Sequence, residues 1–268
     1  MLATVNGIEL YYEDRGKGPV LVFVHGLGEN SNSWKYQMEF FEKTFRVIAM
    51  DLRGHGKSAD GEEPITMTLF ADDVLTLLGG LGIKKAHFVG HSMGGLINQE
   101  IAAHHGSSMQ TMVLSDAAGF YPPPFGTTGL EERLRRIDTM SMDDVAQAIV
   151  DVACCPTAPA AIKAEVKEMF AANRKVPYRQ ATIATLKADY RPYHSQMTMP
   201  TLLLVGQYDQ TTPLSYAQFL NAAIPGSKLQ IIPGAAHMTK LENPTAYNRA
   251  VAEFLAPFEP EASLPLLR

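Results

Sequence analysis

Gly90-His91-Ser92-Met93-Gly94 is the stretch on which the reading of this chain turns. An apolar run over residues 86–89 precedes it, and a helical pattern over residues 95–103 follows it. Between a strand and a helix, G-x-S-x-G acts as a nucleophile elbow. The serine sits on a turn so tight that only small residues fit two places either side of it. Its hydroxyl then projects above the sheet, with the N-terminus of the next helix behind it. The bare pentapeptide also arises by chance, since glycines often flank serines. A strand before it, a helix after it and chemical partners downstream are what make it specific.

A serine hydroxyl is a poor nucleophile until a base takes its proton, so the motif needs a histidine oriented by a carboxylate. Elbow proteins supply them in the chain order serine, acid, histidine. Asp209 follows an apolar strand pattern at residues 201–205, in Gly206-Gln207-Tyr208-Asp209. His237 follows another at residues 228–232, in Gly234-Ala235-Ala236-His237. Both fall where parallel strands deliver their carboxyl ends, the edge at which open α/β sheets place ligands. Each has a plainer explanation when taken alone: Asp209 could simply cap the helix that starts near Pro213, and His237 is one of eight histidines. Their joint placement with Ser92 favours the triad Ser92, Asp209 and His237. Asp116, also just past a strand, is the rival acid.

A tetrahedral intermediate needs N–H donors aimed at its oxyanion. Met93, at the start of the helix, is the first candidate. Leu27, in the loop His25-Gly26-Leu27-Gly28 after the strand at residues 19–24, is the second. His25 is expected to hold that loop by a ring hydrogen bond, and His91 to be structural or to line the pocket. Asp51-Leu52-Arg53-Gly54-His55-Gly56-Lys57-Ser58 lacks the G-x-x-x-x-G-K-[ST] spacing of a phosphate loop. Arg53 and Asp51 are expected instead to brace the loops beneath the site.

The chain has 268 residues, a hydrophobic fraction of 46% and a net charge of −5 with no basic run. Nucleic acid and anionic membranes are therefore not expected partners. No apolar stretch approaches a membrane span, and the first seven residues lack the pattern of a secretion signal. The only cysteines, Cys154 and Cys155, are adjacent and are expected as free thiols in a reducing compartment. A cytoplasmic protein with no metal or cofactor is the expectation. Strand and helix patterns alternate up to residue 116 and again over 200–257, which predicts a mostly parallel sheet. Between them, residues 117–199 show only helical periods, at 130–140, 142–152, 158–172 and 178–186, and read as an all-helical insertion. Residues 258–268 read as a loosely held tail.

These motifs, His25-Gly26-Leu27-Gly28, the Asp51–Ser58 loop, Gly90-His91-Ser92-Met93-Gly94-Gly95, Gly206-Gln207-Tyr208-Asp209 and His237 with Leu241-Glu242-Asn243-Pro244, together resemble the α/β-hydrolase fold superfamily. The resemblance covers about residues 5–256. It implies a mostly parallel eight-stranded sheet flanked by helices, with a helical cap inserted between strands 6 and 7. Within the superfamily the chain is similar to small bacterial carboxylesterases and 3-oxoadipate enol-lactonase-like proteins. Ser92 excludes the aspartate-elbow dehalogenases and epoxide hydrolases. The expected activity is cleavage of carboxylic esters with short to medium acyl chains, or of lactones, through an acyl-enzyme, by a monomer or homodimer. C–C bond hydrolysis, perhydrolysis and slow-turnover ligand sensing are the alternatives. The substrate-facing candidates are His91, Tyr121, Phe125, Met140 and Met238. Arg133, Arg135, Arg136, Arg174 and Arg191 are candidates for a substrate carboxylate.

Overall fold

The computed structural model describes residues 1–124 and 126–258, so Phe125 and the expected tail beyond Phe258 lie outside the described residues. Its centre is an eight-stranded sheet in the order β1-β2-β4-β3-β5-β6-β7-β8. The strands are β1 (Leu2–Val5), β2 (Ile8–Arg15), β3 (Val20–Val24), β4 (Arg46–Met50), β5 (Ala86–His91), β6 (Met109–Ser115), β7 (Thr201–Gly206) and β8 (Lys228–Ile232). Pairing is antiparallel between β1 and β2 and between β2 and β4, and parallel from β4 through β8. The parallel strands therefore end together, and the loops carrying residues 25–29, 92, 116, 209 and 237 leave from one edge.

The helices are α1 (Lys35–Phe41), α2 (Met67–Gly80), α3 (Met93–His105), α4 (Thr128–Thr139), α5 (Met142–Ala153), α6 (Ala160–Ala171), α7 (Lys175–Lys187), α8 (Leu214–Ala223), α9 (Thr239–Glu242) and α10 (Pro244–Leu255). Side chains of a strand alternate between faces. Val22 and Val24 of β3 accordingly join Phe70, Val74, Leu96 and Ile101 of α2 and α3 in one core. Leu21 and Phe23 join Met38, Phe41, Tyr247 and Val251 of α1 and α10 in the other. Burying an aliphatic or aromatic side chain of this size contributes about 1.5–3 kcal/mol. Helices on both faces thus hold the sheet edge that carries the loops.

Helices α4 to α7 lie between β6 and β7. They enclose a third cluster, in which Ile137, Val145, Val150, Val166, Met169, Phe170 and Tyr178 meet Met238 and Leu241. Three details differ from the sequence reading. The edge strand β1 has no counterpart in it, because its alternation is masked by an exposed leucine and only Val5 is buried. Helix α6 begins at Ala160, since Pro159 takes the capping position. Helix α7 begins three residues earlier than the apolar period, at Lys175. Pro177 lies in its first turn, where a missing N–H costs nothing.

Candidate active site

Ser92 links β5 to α3 at φ 51° and ψ −114°, in the left-handed region that a non-glycine residue enters only when its surroundings enforce it. Gly90 and Gly94 show the enforcement. A Cβ on Gly90 would lie 2.3 Å from the Gly94 carbonyl oxygen, and one on Gly94 would lie 2.1 Å from the Val24 carbonyl oxygen. Close backbone approach, rather than a special dihedral, demands glycine at both places. The Ser92 N–H donates to the Ser115 carbonyl at 2.9 Å, which ties the turn to β6. Met93 is the first residue of α3 and is fully buried.

Asp209 and His237 arrive at the same edge from β7 and β8. The Asp209 carboxylate accepts from the Thr211 and Thr212 amides at 2.7 and 3.0 Å and from the Thr212 hydroxyl at 2.8 Å. Its Oδ2 lies 2.9 Å from His237 Nδ1. An ionised carboxylate only accepts, so Nδ1 carries the proton and the Nε2 lone pair is left for Ser92, whose Oγ is 3.1 Å away. Burial alone would raise the Asp209 carboxyl. The charge of His237 and the donors on it and Thr212 outweigh burial and hold Asp209 below the ordinary carboxylate value. For His237 burial acts downward, but the attraction of Asp209, then of Asp116 and Glu29, raises the ring above an ordinary histidine. The His237 amide also donates to the Ala153 carbonyl at 2.9 Å, joining this loop to α5.

Asp116, the rival acid, is completely buried, and its hydrogen bonds go to groups other than His237. It accepts from the Gly206 amide and the Ser115 hydroxyl, both at 2.8 Å, and from the Thr239 hydroxyl. Burial, and then the nearby Asp209 charge, push its carboxyl up to about 7. Asp116, Asp209 and His237 bring ligand atoms within 4.8 Å of one another. Those atoms are taken up in the hydrogen bonds just described, a pattern that suits proton handling rather than ion binding.

Leu27 stands in the loop after β3. His25 Nδ1–H donates to the Gly26 carbonyl at 2.8 Å, and its Nε2 accepts from the Leu52 amide at 2.9 Å. Burial, the largest influence on that ring, lowers it and keeps it neutral, as both bonds require. The Gly28 carbonyl accepts from Asn173 of the helical layer at 2.7 Å. Below, Asp51 accepts from the Ser31 and Lys57 amides at 2.7 and 2.8 Å. Arg53 makes a bidentate pair with Asp73 of α2, both bonds at 2.8 Å. These two residues brace loops, in line with the expectation for them.

Ser92 and His237 open into a cavity of about 410 Å³, a size typical of small-molecule sites. Leu27, Ile137, Val145, Ile149, Phe170 and Leu186 supply much of its apolar wall. Tyr121 and Met140 line it, as expected for substrate-facing residues. Two expectations need correction. His91 does not reach the cavity: it is fully buried, and its ring is turned under the site between Glu29 and the His237 carbonyl. Neighbours in an elbow point apart, and the outward direction belongs to Ser92. Met238 is also fully buried and packs into the cluster beneath α5 and α6 rather than facing the cavity. Among the arginines, Arg133 and Arg136 reach the wall, whereas Arg135, Arg174 and Arg191 are engaged with Glu132, Asp60 and Asp189. Arg136 also pairs with Glu132. Glu29, Lys240 and Thr212 carry no motif and were not legible; the position of Glu29 next to the glycine loop is the one signal that pointed to it.

Comparison with known proteins places this geometry. The sequence pattern of the alpha/beta hydrolase fold family matches residues 19–244. The 3-oxoadipate enol-lactonase 2 of Acinetobacter baylyi is 28% identical over 261 residues, covering 95% of this chain and 96% of its own. The enol-lactonase from Burkholderia xenovorans superposes with a TM-score of 0.89 at 29% identity, covering 96% of this chain and all of the other. A thermophilic esterase from Thermogutta terrifontis, solved with malate bound, gives a TM-score of 0.90 at 26% identity, over 97% of this chain and 99% of its own. With most of its length matched by the family pattern and its strands, elbow and helical insertion in the corresponding order, this chain belongs to the alpha/beta hydrolase fold family.

Proposed function

We propose that this chain is a serine hydrolase that cleaves carboxylic esters or lactones through an acyl-enzyme on Ser92. The observation that carries the reading is the continuous hydrogen-bonded line Asp209–His237–Ser92 at the floor of a largely apolar cavity. The likeness to enol-lactonases and esterases over nearly the whole chain supports the same class of reaction.

His237 Nε2 takes the Ser92 proton as Oγ attacks the acyl carbon, and the carbonyl oxygen becomes an oxyanion facing the amides of Leu27 and Met93. Collapse breaks the acyl–oxygen bond, and His237 returns its proton to the departing alkoxide. In an ester this leaves as an alcohol; in a lactone it stays attached as a hydroxyl group. His237 then deprotonates a water molecule, which attacks the acyl-enzyme and releases the acid with Ser92 regenerated. Asp209 keeps the imidazole in the required tautomer throughout. Arg133, which has no carboxylate partner among the described residues, stands on the cavity wall as the recognition group for acidic substrates.

The test is steady-state turnover of p-nitrophenyl esters from acetate to decanoate, beside small lactones, before and after a serine-directed fluorophosphonate. Rapid turnover that the reagent abolishes, with the adduct mapped to Ser92, is the expected result. An adduct on Ser92 without ester or lactone turnover would overturn the assigned reaction, and turnover that survives the reagent would overturn the nucleophile.

A further inference from the structure

Beneath His237 lies a buried polar cluster that the proposed reaction does not use. Glu29, from the loop after β3, is 2% exposed, and His91 and Lys240 are fully buried. Glu29 Oε1 is 2.6 Å from His91 Nδ1, and Oε2 is 2.8 Å from Lys240 Nζ. His91 Nε2 is 2.8 Å from the main-chain carbonyl oxygen of His237. Lys240 also lies 4.9 Å from the Trp34 ring centre, over its face. The cluster joins the loop of Leu27, the elbow and the loop of His237.

Proton counting constrains it. A carbonyl oxygen only accepts, so His91 Nε2 must carry a hydrogen. A carboxylate oxygen 2.6 Å from a bare ring nitrogen would set two lone pairs against each other, so a proton must lie between Nδ1 and Oε1 as well. Ring and carboxyl together hold one proton more than a neutral histidine and an ionised glutamate. Burial would raise Glu29, but the charges of His91 and Lys240 outweigh it and hold the carboxyl well below its ordinary range. Burial, with Lys240 and His237, pulls the His91 ring down to about 4 against the attraction of Glu29. The 2.6 Å contact between Nδ1 and Oε1, with Lys240 Nζ 2.8 Å from Oε2, keeps the carboxylate ionised and leaves the extra proton on the ring.

We propose that Glu29 and His91 are positioning residues: Glu29 keeps His91 doubly protonated, His91 clamps the His237 carbonyl from below, and Lys240 offsets the Glu29 charge beside the reacting centre. The offset matters because Glu29 is close to the nucleophile. A Cβ on Gly26 would sit 2.5 Å from Glu29 Oε1 and 3.2 Å from the Ser92 Cβ. An anion there would oppose the oxyanion that forms at Ser92, and His91 and Lys240 together more than balance it, leaving the cluster with a net positive charge. Holding the main chain of the base fixes the ring that must span Asp209 and Ser92, and a misplacement of about 1 Å costs on the order of 100-fold in rate. The charged groups facing His237 are Asp209, Asp116, His91 and Glu29, with Glu242 on its own loop and Lys240 behind Glu29.

This inference rests on Ser92 and His237 being nucleophile and base, and fluorophosphonate labelling of the unaltered protein tests that separately. The first measurement is 15N NMR of the histidine rings in the wild-type protein. His91 is expected to show hydrogens on both nitrogens from pH 6 to 8, and a bare ring nitrogen overturns the proposal. The second compares Glu29→Leu with Glu29→Gln. Leucine should lower kcat by roughly 10- to 100-fold with KM little changed. Glutamine should restore most of the rate, because its amide can donate to Nδ1 of a neutral His91 whose Nε2–H still holds the carbonyl. Equal losses in both, or none in Glu29→Leu, count against it. Lys240→Met should move the acid limb of the rate profile to higher pH, since removing a buried cation favours the imidazolium of His237; a downward shift or none contradicts the offsetting role. Should the leucine variant not fold, the wild-type spectrum still decides.

Discussion

Polar side chains beneath the sheet edge and polar side chains of the helical layer live in opposite surroundings. Under the site, Arg53 and Asp73 pair at 2% and 0% exposure, Asp116 is sealed by one backbone amide and two hydroxyls, and His25 by a backbone carbonyl and amide. In the layer above, Arg179 and Asp138 pair at 39% and 48% exposure, and Arg174 and Asp60 at 42% and 44%. Buried, saturated polar groups cannot move without leaving a partner unpaired, so the lower region fixes geometry. Half-exposed pairs exchange readily with water, and the cluster between α4 and α7 is built from aliphatic, methionine and aromatic side chains with no fixed hydrogen-bond geometry to keep. The two regions are thus held by different kinds of contact, buried hydrogen bonds below and apolar packing with exposed ion pairs above.

The sharpest way to break that division is Ser92→Ala. It should reduce kcat by about 10⁶-fold while the thermal midpoint, followed by circular dichroism, stays nearly unchanged. Next, Asp209→Asn should cost about 10⁴-fold through the wrong histidine tautomer, and Asp116→Asn much less, because its hydrogen bonds run to Gly206, Ser115 and Thr239. Reversal of that order in kcat would make Asp116 the acid.

The same geometry sets the pH dependence. In the proposed reaction His237 must be neutral to accept the serine proton, and its surroundings raise it above an ordinary histidine. Activity should therefore fall as pH drops through that raised value, and the acid limb of kcat/KM should lie above the ordinary histidine midpoint. A limb below that midpoint would contradict the arrangement.

Stability should follow the contrast too. Arg53→Met leaves the buried Asp73 without its counter-charge and with only the Asn6 amide donating to it, and urea denaturation should show a loss of about 3–5 kcal/mol. Arg179→Ala, in the helical layer, should lose less than about 1 kcal/mol. Equal losses would mean that the two regions are held in the same way. The last effect concerns recognition. Arg133→Met should raise KM roughly tenfold for an ester bearing a second carboxylate, consistent with one lost charge-assisted hydrogen bond, and leave neutral esters unchanged.

Much of the sheet and helix order could be read from residue patterns. The strands β3, β4 and β7 hold continuous apolar runs because they are buried on both faces, and β5 and β6 are broken mainly by His87, Gln110 and Thr111. The helices of the 117–199 segment show their period because each buries one stripe. The edge strand β1 escaped because an edge is half in water and its pattern weakens. Asp209 and His237 were legible because a strand end announces where a loop begins. His91 and Met238 were misread because adjacency to Ser92 and His237 says nothing of which way a side chain points.

Local pattern by itself determined the elbow, the order of the three strand ends and the position of the helical insertion, since turn sterics and side-chain periodicity act over a few residues. Only the tertiary structure decided which carboxylate faces His237 and that Asp116 turns to Gly206 and Thr239 instead. It alone joined Glu29 to Lys240 from opposite ends of the chain, and turned His91 down to hold the loop above it. A hydrogen bond requires atoms within about 3 Å, and for residues far apart in the chain that distance is set by how the whole sheet and its helices pack.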